Sequence, residues 1–289
     1  PWPGRHPSCG RAEPERQCPS SPHEDRAGKA TPRLQETSTA AGMDRFAGRV
    51  AVVTGASCGI GAQIAEQFVK AGILVVGVAR REQLLTELAA RLEGEKGKLY
   101  PVAADLTREE DIRRLYEWVD DNLGGVSVVV NNAGMLTLTP LQDLDAATVQ
   151  NVVSLNLTGV MLSCREAILS MKKHGIKDGH IININSVAGH FIHNYQPLST
   201  SVYAPAKHGI TALCKALRYD VQALEGYKIR VTSVSPGAVA TEMLPKEYTS
   251  SMKEILQPQD VADAVCYVLS CPPSVEIAEL TIRPTGEKA

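Results

Sequence analysis

The sequence predicts an α/β fold in which a doubly wound sheet of seven parallel strands is covered by helices on both faces. Two observations predict it. Seven short apolar runs rich in β-branched residues alternate with longer segments of helical period, and a cluster of glycines directly follows the first run. Because consecutive parallel strands need crossover connections, strict alternation indicates a parallel sheet whose faces are both covered.

The elements follow one another without a break in this alternation. The predicted strands are residues 49–53, 73–78, 98–103, 127–131, 180–184, 228–234 and 276–282. The segments between them carry apolar residues at helical spacing and predict helices at residues 60–71, 82–92, 109–122, 146–173, 203–224 and 259–270.

Composition limits the possible partners of the chain. It has 289 residues, of which 44% are apolar and 21% charged, and its formal net charge is −2. A near-neutral balance argues against a nucleic-acid-binding surface. No uninterrupted apolar stretch approaches the roughly 18 residues that a membrane-spanning helix needs. We therefore expect neither nucleic acid binding nor membrane insertion.

Residues 1–42 differ from the rest of the chain. They contain 7 of the 17 prolines and, among Ile, Leu, Val and Phe, only Leu34. Such a segment buries too little apolar surface to offset the entropy of ordering, so it is predicted to be a disordered tail. We interpret it as upstream translated or added sequence, with a regulatory arm as the alternative. Residues 43–289 are predicted to form a single folded domain.

The cysteines and histidines of this domain bear on metal binding and on its cellular compartment. Its five cysteines form no CxxC pair, and its five histidines lack zinc-ligand spacing. We therefore expect no metal site and a reduced, cytoplasmic environment. The histidines are expected at surface or loop positions.

The turn after the first strand carries Gly55, Gly59 and Gly61. Glycine there lets the backbone turn tightly and approach a pyrophosphate, while the next helix offers N–H donors at its N-terminus. Together with Ser57 and Ile60, these residues predict a dinucleotide-binding loop, the alternative being a structural turn. The same segment fits the G-x-S-x-G elbow of hydrolases, but almost no folded chain precedes it, whereas such an elbow normally follows several strands.

Arg80 and Arg81 stand where the second strand ends, about 20 residues beyond the glycines. NAD enzymes place an acidic residue there to hold the ribose hydroxyls. A guanidinium group instead binds a 2′-phosphate through charge-assisted hydrogen bonds. The two arginines therefore predict NADP(H) rather than NAD(H). The alternative is a solvated helix start, in which Glu82 partly neutralises them.

Tyr203 and Lys207 are four residues apart in a predicted helix, so their side chains share one face. A free tyrosine has a pKa of about 10, too high for efficient acid–base catalysis at neutral pH. A neighbouring ammonium group stabilises a phenolate, so we expect Lys207 to lower the pKa of Tyr203. The alternative is a buried aromatic residue beside a solvated lysine. Pro205 lies between them and restricts the helix start to a position close to Tyr203.

Several motifs together resemble the short-chain dehydrogenase/reductase family over residues 45–285. They are residues 54–61, the Asn131-Asn132-Ala133-Gly134 run, Ser186, the Tyr203 and Lys207 pair, and the Ser235-Pro236-Gly237 run. Residues 178–186, 260–265 and 283–285 further resemble the branch of insect farnesol dehydrogenases and vertebrate dehydrogenase/reductase member 11. The resemblance implies a Rossmann-type fold that binds a nicotinamide dinucleotide.

The resemblance also implies roles for individual residues. Tyr203 would transfer the proton, Ser186 would hydrogen-bond the substrate oxygen, and Lys207 would hold the nicotinamide ribose. Asn156 would support a water molecule in the proton relay. Further coenzyme contacts, besides Tyr203 and Lys207 themselves, are implied at Asp105, Leu106, Asn131, Ala133, Gly134, Pro236, Gly237, Val239 and Thr241. Cys58 stands where many NADP-preferring members carry a basic residue, which leaves Arg80 as the main phosphate anchor.

Two segments are expected to complete the substrate pocket. Ser186 and Tyr203 are 17 residues apart, more than is usual in the family, so residues 189–201 are expected to form an extra loop at the pocket mouth. Residues 242–257 are expected to form a lid. The expected substrate contacts are Val187, Phe191, Tyr195, Leu198 and Met243.

The activity implied by the resemblance is NADP(H)-dependent interconversion of a hydrophobic alcohol and its carbonyl by direct hydride transfer. Farnesol or a related isoprenoid alcohol is the first substrate candidate, with a keto-steroid or a dicarbonyl as the alternative. A non-catalytic coenzyme-binding protein is the alternative of another class, and the intact set Asn156, Ser186, Tyr203 and Lys207 argues against it. The family further implies a homodimer or homotetramer formed through the helices at residues 146–173 and 203–224.

Overall fold

The computed structural model describes residues 42–192, 199–244 and 254–286, and within these ranges the strands form one parallel seven-stranded sheet. The strands are β1 (Val50–Thr54), β2 (Leu74–Ala79), β3 (Lys98–Ala103), β4 (Val128–Asn131), β5 (His180–Ile184), β6 (Arg230–Pro236) and β7 (Glu279–Ile282). Their spatial order is β3-β2-β1-β4-β5-β6-β7, so the winding direction reverses between β1 and β4. The fold is Rossmann-like, as predicted. Except for Gly42, the predicted tail lies outside the described residues.

Helices cover both faces of the sheet. They are α1 (Gly59–Lys70), α2 (Glu82–Arg91), α3 (Glu109–Leu123), α4 (Ala146–Val153), α5 (Gly159–Lys173), α6 (Tyr203–Gln222) and α7 (Pro258–Ser270). Helices α1, α2 and α7 pack on one face, and α3, α5 and α6 pack on the other. Alternate residues of β1 enter the two cores, Ala51 and Val53 on one side and Val50 and Val52 on the other. Both faces of the central strands are therefore buried, which explains their nearly continuous apolar sequences.

The helix predicted over residues 146–173 is not uniform. A π-helical turn, Ser154–Thr158, separates α4 from α5, and such turns interrupt α-helices frequently at functional sites. Directly after it, Gly159 packs against the chain that follows β3, since a Cβ atom there would lie 2.4 Å from the Leu106 carbonyl oxygen. By length and composition this helical stretch could cross a membrane, a test that buried helices of soluble proteins also pass. The expectation of no membrane insertion stays a prediction.

Two further expectations need correction. Strand β7 begins at Glu279 rather than at residue 276, because the Glu276 side chain accepts the Val231 N–H at 2.7 Å and so replaces backbone pairing there. His180 is not at a surface or loop position. It is fully buried at the start of β5, where its Nε2 lies 2.9 Å from the Thr232 hydroxyl. The start of α6 at Tyr203 agrees with the restriction imposed by Pro205.

Candidate active site

A cleft of about 730 Å³ opens where the carboxyl ends of the strands meet. Residues that follow β1 to β6 line it, and it includes the point between β1 and β4 where the winding reverses. In open α/β sheets, ligands bind at this position because the connections on either side diverge and leave a crevice. The volume is in the range of small-molecule and cofactor sites.

The glycine-rich loop forms one wall of this cleft. Gly55 and Gly59 have φ angles of +68° and +57°, which side chains other than glycine rarely adopt. Together with Ser57 and Ile60 they line the cleft at the start of α1. Gly61 lies outside the lining and packs α1 against the strand end, since a Cβ atom there would approach the Gly55 carbonyl oxygen to 2.4 Å. The close backbone approach and the free helix N-terminus fit the pyrophosphate of a dinucleotide.

A brace between β1 and β4 holds this loop. The Thr54 hydroxyl oxygen accepts the N–H groups of Asn132 and Ala133 at 2.9 and 3.0 Å, and the Asn132 amide donates to the Thr54 carbonyl oxygen at 2.9 Å. Asn132, Ala133 and Gly134 line the cleft. Asn131, which was expected there, is buried inside the protein instead and donates to Asn183 Oδ1 at 2.8 Å.

The ends of β2 and β3 form an exposed, polar rim. Arg80 is exposed and, within the described part of the chain, has no hydrogen-bond or ion-pair partner. Arg81 contacts the glycine-rich loop through Ser57 Oγ at 3.2 Å and Cys58 Sγ at 2.8 Å. Asp105 and Leu106 line the same end of the cleft, and Asp105 Oδ1 accepts hydrogen bonds from Thr107. The rim therefore presents two guanidinium groups where a ribose 2′-phosphate would lie.

At the opposite end of the cleft, Ser186 and Tyr203 lie together. Both line the cleft, and the Ser186 Oγ accepts the Ala188 N–H at 3.1 Å, which fixes the turn after β5. Burial raises the pKa of Tyr203, and the neighbouring Ser186 hydroxyl opposes this in part. The expected lowering by Lys207 is not found, because the largest contribution is burial, which desolvates the phenolate and raises the pKa of Tyr203.

Lys207 is buried beside this pair and is only 6% exposed. Its Nζ donates to the Ile184 carbonyl oxygen at 2.8 Å and lies 5.7 Å from the centroid of the Tyr203 ring. Burial lowers the pKa of Lys207 to about 8, because the charged form loses its hydration. The ammonium group is thus held at the base of the cleft.

Asn156 lies in the π-helical turn and is buried. Its side-chain amide donates to the Met135 carbonyl oxygen at 2.7 Å and accepts the Met135 N–H at 2.8 Å. This pairing fixes the chain that leaves β4, and Met135 itself lines the cleft.

The segment after β6 closes the cleft from the other side. Pro236, Gly237, Val239 and Thr241 all line it. The Gly237 N–H donates to the Ile282 carbonyl oxygen at 2.8 Å, which anchors the segment to β7. A Cβ atom at Gly59 would lie 3.2 Å from the Thr241 methyl group, so this segment approaches the glycine-rich loop closely.

The structure places only some of the predicted substrate residues at the cleft. Val187 and Met243 line the cleft, whereas Phe191 is 54% exposed and lies outside the lining. Tyr195, Leu198 and residues 245–253 of the predicted lid lie outside the described residues. The sequence analysis missed an apolar wall made by Met135, Leu136, Leu138 and Leu155. For Met135, Leu136 and Leu138, the available signal was their apolar character directly after the Asn132-Ala133-Gly134 run.

Comparisons with known proteins agree with this geometry. The family model described as short chain dehydrogenase matches residues 49–251. A farnesol dehydrogenase of Aedes aegypti is 44% identical over 248 residues, which cover 85% of this chain and 100% of the relative. Dehydrogenase/reductase SDR family member 11 of Mus musculus is 40% identical over 261 residues, covering 86% of this chain and 99% of the relative.

Two solved structures are similar over most of the chain. A metagenomic short-chain oxidoreductase in complex with NADP has a TM-score of 0.70 at 29% identity, covering 83% of this chain and 98% of its own. An alcohol dehydrogenase of Thermococcus sibiricus complexed with 5-hydroxy-NADP has a TM-score of 0.72 at 26% identity, with the same two coverages.

Proposed function

The chain belongs to the short chain dehydrogenase family of oxidoreductases, and we propose that it is an NADP(H)-dependent enzyme that interconverts a hydrophobic alcohol and its carbonyl. One observation carries the proposal. Ser186, Tyr203 and Lys207 converge at one end of a cleft whose other end presents Arg80 and Arg81. A dead scaffold would need neither the two neighbouring hydroxyl groups nor a buried ammonium group, since both are costly to desolvate.

The residues of the chain divide the proton chemistry between them. A bound nicotinamide coenzyme would supply or accept the hydride. In carbonyl reduction, Ser186 holds the substrate oxygen and Tyr203 donates its phenol proton to it. The raised pKa of Tyr203 keeps the phenol protonated at neutral pH, which is the state this step requires. In alcohol oxidation the substrate hydroxyl gives its proton to Tyr203, which accepts it in the phenolate form.

The preference for NADP(H) rests on the rim at the end of β2. Arg80 and Arg81 line the cleft there, and neither position carries the carboxylate that would repel a 2′-phosphate. The two similar structures that hold NADP or its 5-hydroxy derivative support the same class of coenzyme.

The apolar wall supports a hydrophobic substrate. Met135, Leu136, Leu138 and Met243 face the cleft near the catalytic side chains, and methionine adapts to irregular apolar ligands. The similarity to a farnesol dehydrogenase makes an isoprenoid alcohol the first candidate. A keto-steroid or a dicarbonyl is the alternative within the same chemistry.

We further propose a homodimer or homotetramer in the cytoplasm. Helices α4, α5 and α6 expose large apolar side chains at Val153, Met161, Leu169 and Tyr219, which a second subunit would cover. The five cysteines of the described residues are all free, as a reducing compartment allows. A monomeric molar mass by light scattering would contradict the proposed oligomer.

The function is tested with the purified full chain. NADPH and NADH are titrated by nucleotide fluorescence, and the oxidation of farnesol, a hydroxysteroid and a small diol is then followed with NADP by absorbance. We expect tighter binding of NADPH and turnover of farnesol. Binding without turnover of any alcohol or carbonyl would favour the non-catalytic alternative, and the absence of nucleotide binding would overturn the proposal.

A further inference from the structure

We propose that Glu242 sets coenzyme selectivity by competing with the 2′-phosphate of NADP(H) for the guanidinium group of Arg81. This inference rests on the proposed function, because it presupposes that the cleft binds a nicotinamide dinucleotide. It concerns a residue that the sequence analysis placed only at the start of the predicted lid.

The geometry places the two side chains on opposite walls of the cleft. Arg81 follows β2, and Glu242 belongs to the segment after β6, 161 residues further along the chain. Arg81 Nη1 lies 3.2 Å from Glu242 Oε2, and both residues line the cleft. The other terminal nitrogen of Arg81 donates to Ser57 and Cys58 of the glycine-rich loop. The ion pair therefore spans the cleft at its phosphate end.

The pair is exposed enough to be exchanged. The side chains of Arg81 and Glu242 are 51% and 69% exposed, and ion pairs of this kind are weak because water screens them. A phosphate monoester carries about 1.5 to 2 negative charges at neutral pH, against one on a carboxylate. A 2′-phosphate at the end of β2 would thus replace Glu242 as the partner of Arg81. NADH has no such group and would leave the pair intact.

No other described carboxylate near the rim is placed in the same way. Glu82 is the next residue after Arg81 but makes no ion pair with it, and Asp105 Oδ1 is bonded to Thr107. Arg80 has no partner within the described residues and is available to a phosphate without competition. Glu242 consequently reduces the contribution that Arg81 makes to the binding of NADP(H). It does not affect the binding of NAD(H), which lacks the 2′-phosphate.

The test measures binding, which does not depend on turnover. Dissociation constants of NADPH and NADH are determined by fluorescence titration for the full-length wild type, Glu242→Gln and Glu82→Gln, and again in an Arg81→Ala background. We expect Glu242→Gln to tighten NADPH binding about fivefold, the upper range for an exposed ion pair. NADH binding should stay within about twofold, and in the Arg81→Ala background the effect on NADPH should fall below about twofold.

The outcomes separate this inference from the function on which it rests. An equal gain for NADPH and NADH, an equal gain from Glu82→Gln, or a gain that persists without Arg81 would show a general field effect and overturn it. An unchanged NADPH affinity in Glu242→Gln would overturn it as well, while leaving the proposed function standing. If the wild type bound neither nucleotide, both proposals would fall.

Discussion

The two ends of the cleft hold their cations in opposite ways. Lys207 is buried, and its ammonium group is fixed by the Ile184 carbonyl oxygen. Arg80 and Arg81 are exposed on strand-end loops, and the ion pair that Arg81 makes crosses open space. Burial shifts the pKa of Lys207 to about 8, whereas the exposed arginines are screened by water. The end of the cleft at Lys207 is thus preorganised, and the end at Arg80 and Arg81 is adjustable.

The fold explains this difference. Lys207 lies on α6, which packs against β6 and accepts a hydrogen bond from Asn183 of β5 at Cys214, so its side chain enters the protein interior. The arginines lie at the start of α2, beyond the last paired residue of β2, where the chain turns outward. Substitutions at the buried end should therefore have larger effects than substitutions at the exposed end, and the following experiments can break or sharpen that rule.

Tyr203→Phe should show the largest effect. Loss of the phenol removes the proposed acid for the substrate oxygen, and general acid catalysis contributes about 10² to 10⁴-fold to rates. We expect kcat/KM for the best substrate to fall about 10³-fold, while NADPH affinity stays within about threefold. Steady-state kinetics and fluorescence titration measure the two quantities.

Tyr219→Phe is the matched control, since Tyr219 lies on the same helix and is 75% exposed. It should leave kcat/KM unchanged. Undiminished turnover in Tyr203→Phe would remove the proposed acid from the mechanism.

His180 extends the comparison to a buried base outside the cleft. Its burial and the nearby Arg230 lower its pKa well below 6.5, so the folded state binds fewer protons than the unfolded state under mild acid. Stability should therefore fall as the pH drops below 6.5, by at most about 1.4 kcal/mol per pH unit.

Urea unfolding at about pH 6.5 and about pH 5 tests this in the wild type and in His180→Gln, with His208→Gln as a partly exposed control on α6. The His180→Gln protein should lose less stability over this range than the wild type. Equal losses in the two proteins would assign the pH dependence to other groups.

Arg80→Ala should have a moderate effect, because the side chain is exposed and its proposed contact is with the coenzyme alone. A charge-assisted hydrogen bond contributes about 1.5 to 3 kcal/mol, of which water screens a large part at this rim. We expect NADPH binding to weaken about tenfold and NADH binding to change less than twofold. Arg113→Ala on α3 is the control, since Arg113 is exposed outside the cleft. A weakening equal for both nucleotides would contradict a phosphate contact by Arg80.

Local patterns predicted most of the fold, because each strand of this sheet is a short apolar run and each crossover is a periodic helix. The boundaries of β3 and β5 agree to the residue. The π-helical turn at Ser154–Thr158 could not be predicted in this way, since the apolar spacing on its two sides is continuous. The late start of β7 depends on a side chain, Glu276, that replaces a backbone partner.

Site residues could be predicted where the residue type and its spacing indicate a single role. They could not be predicted where tertiary packing decides which side chain reaches the cleft. Glycines with positive φ and the spacing of Tyr203 and Lys207 could be recognised from the sequence alone. The sequence could not show whether Asn131 or Asn132 faces the cleft, because neighbouring residues at a strand end point to opposite sides. The raised pKa of Tyr203 depends on desolvation by distant segments, and the contact of Arg81 with Glu242 joins positions 161 residues apart.

Lys207→Met should change the stability only slightly, because two larger contributions oppose each other, and the sign of the change is informative. The lowering of the Lys207 pKa from 10.5 to about 8 corresponds to about 3 kcal/mol of destabilisation while the amine is charged in both states. Removing the amine also loses the hydrogen bond to the Ile184 carbonyl oxygen, which contributes about 2 kcal/mol. The net expectation at pH 7 is a gain of about 1 kcal/mol in the free energy of unfolding, together with a loss of activity.

The pH dependence makes this expectation specific to the buried charge. The wild type should gain stability between pH 8 and about 10.5, because its folded state releases the Lys207 proton first. The advantage of Lys207→Met should therefore disappear over that interval. Lys215→Met on the same helix is the exposed control and should show neither change. The contrary outcomes are that Lys207→Met is clearly less stable than the wild type at pH 7, or that it remains more stable at high pH. Either result would show that desolvation of the Lys207 ammonium group does not destabilise the folded protein.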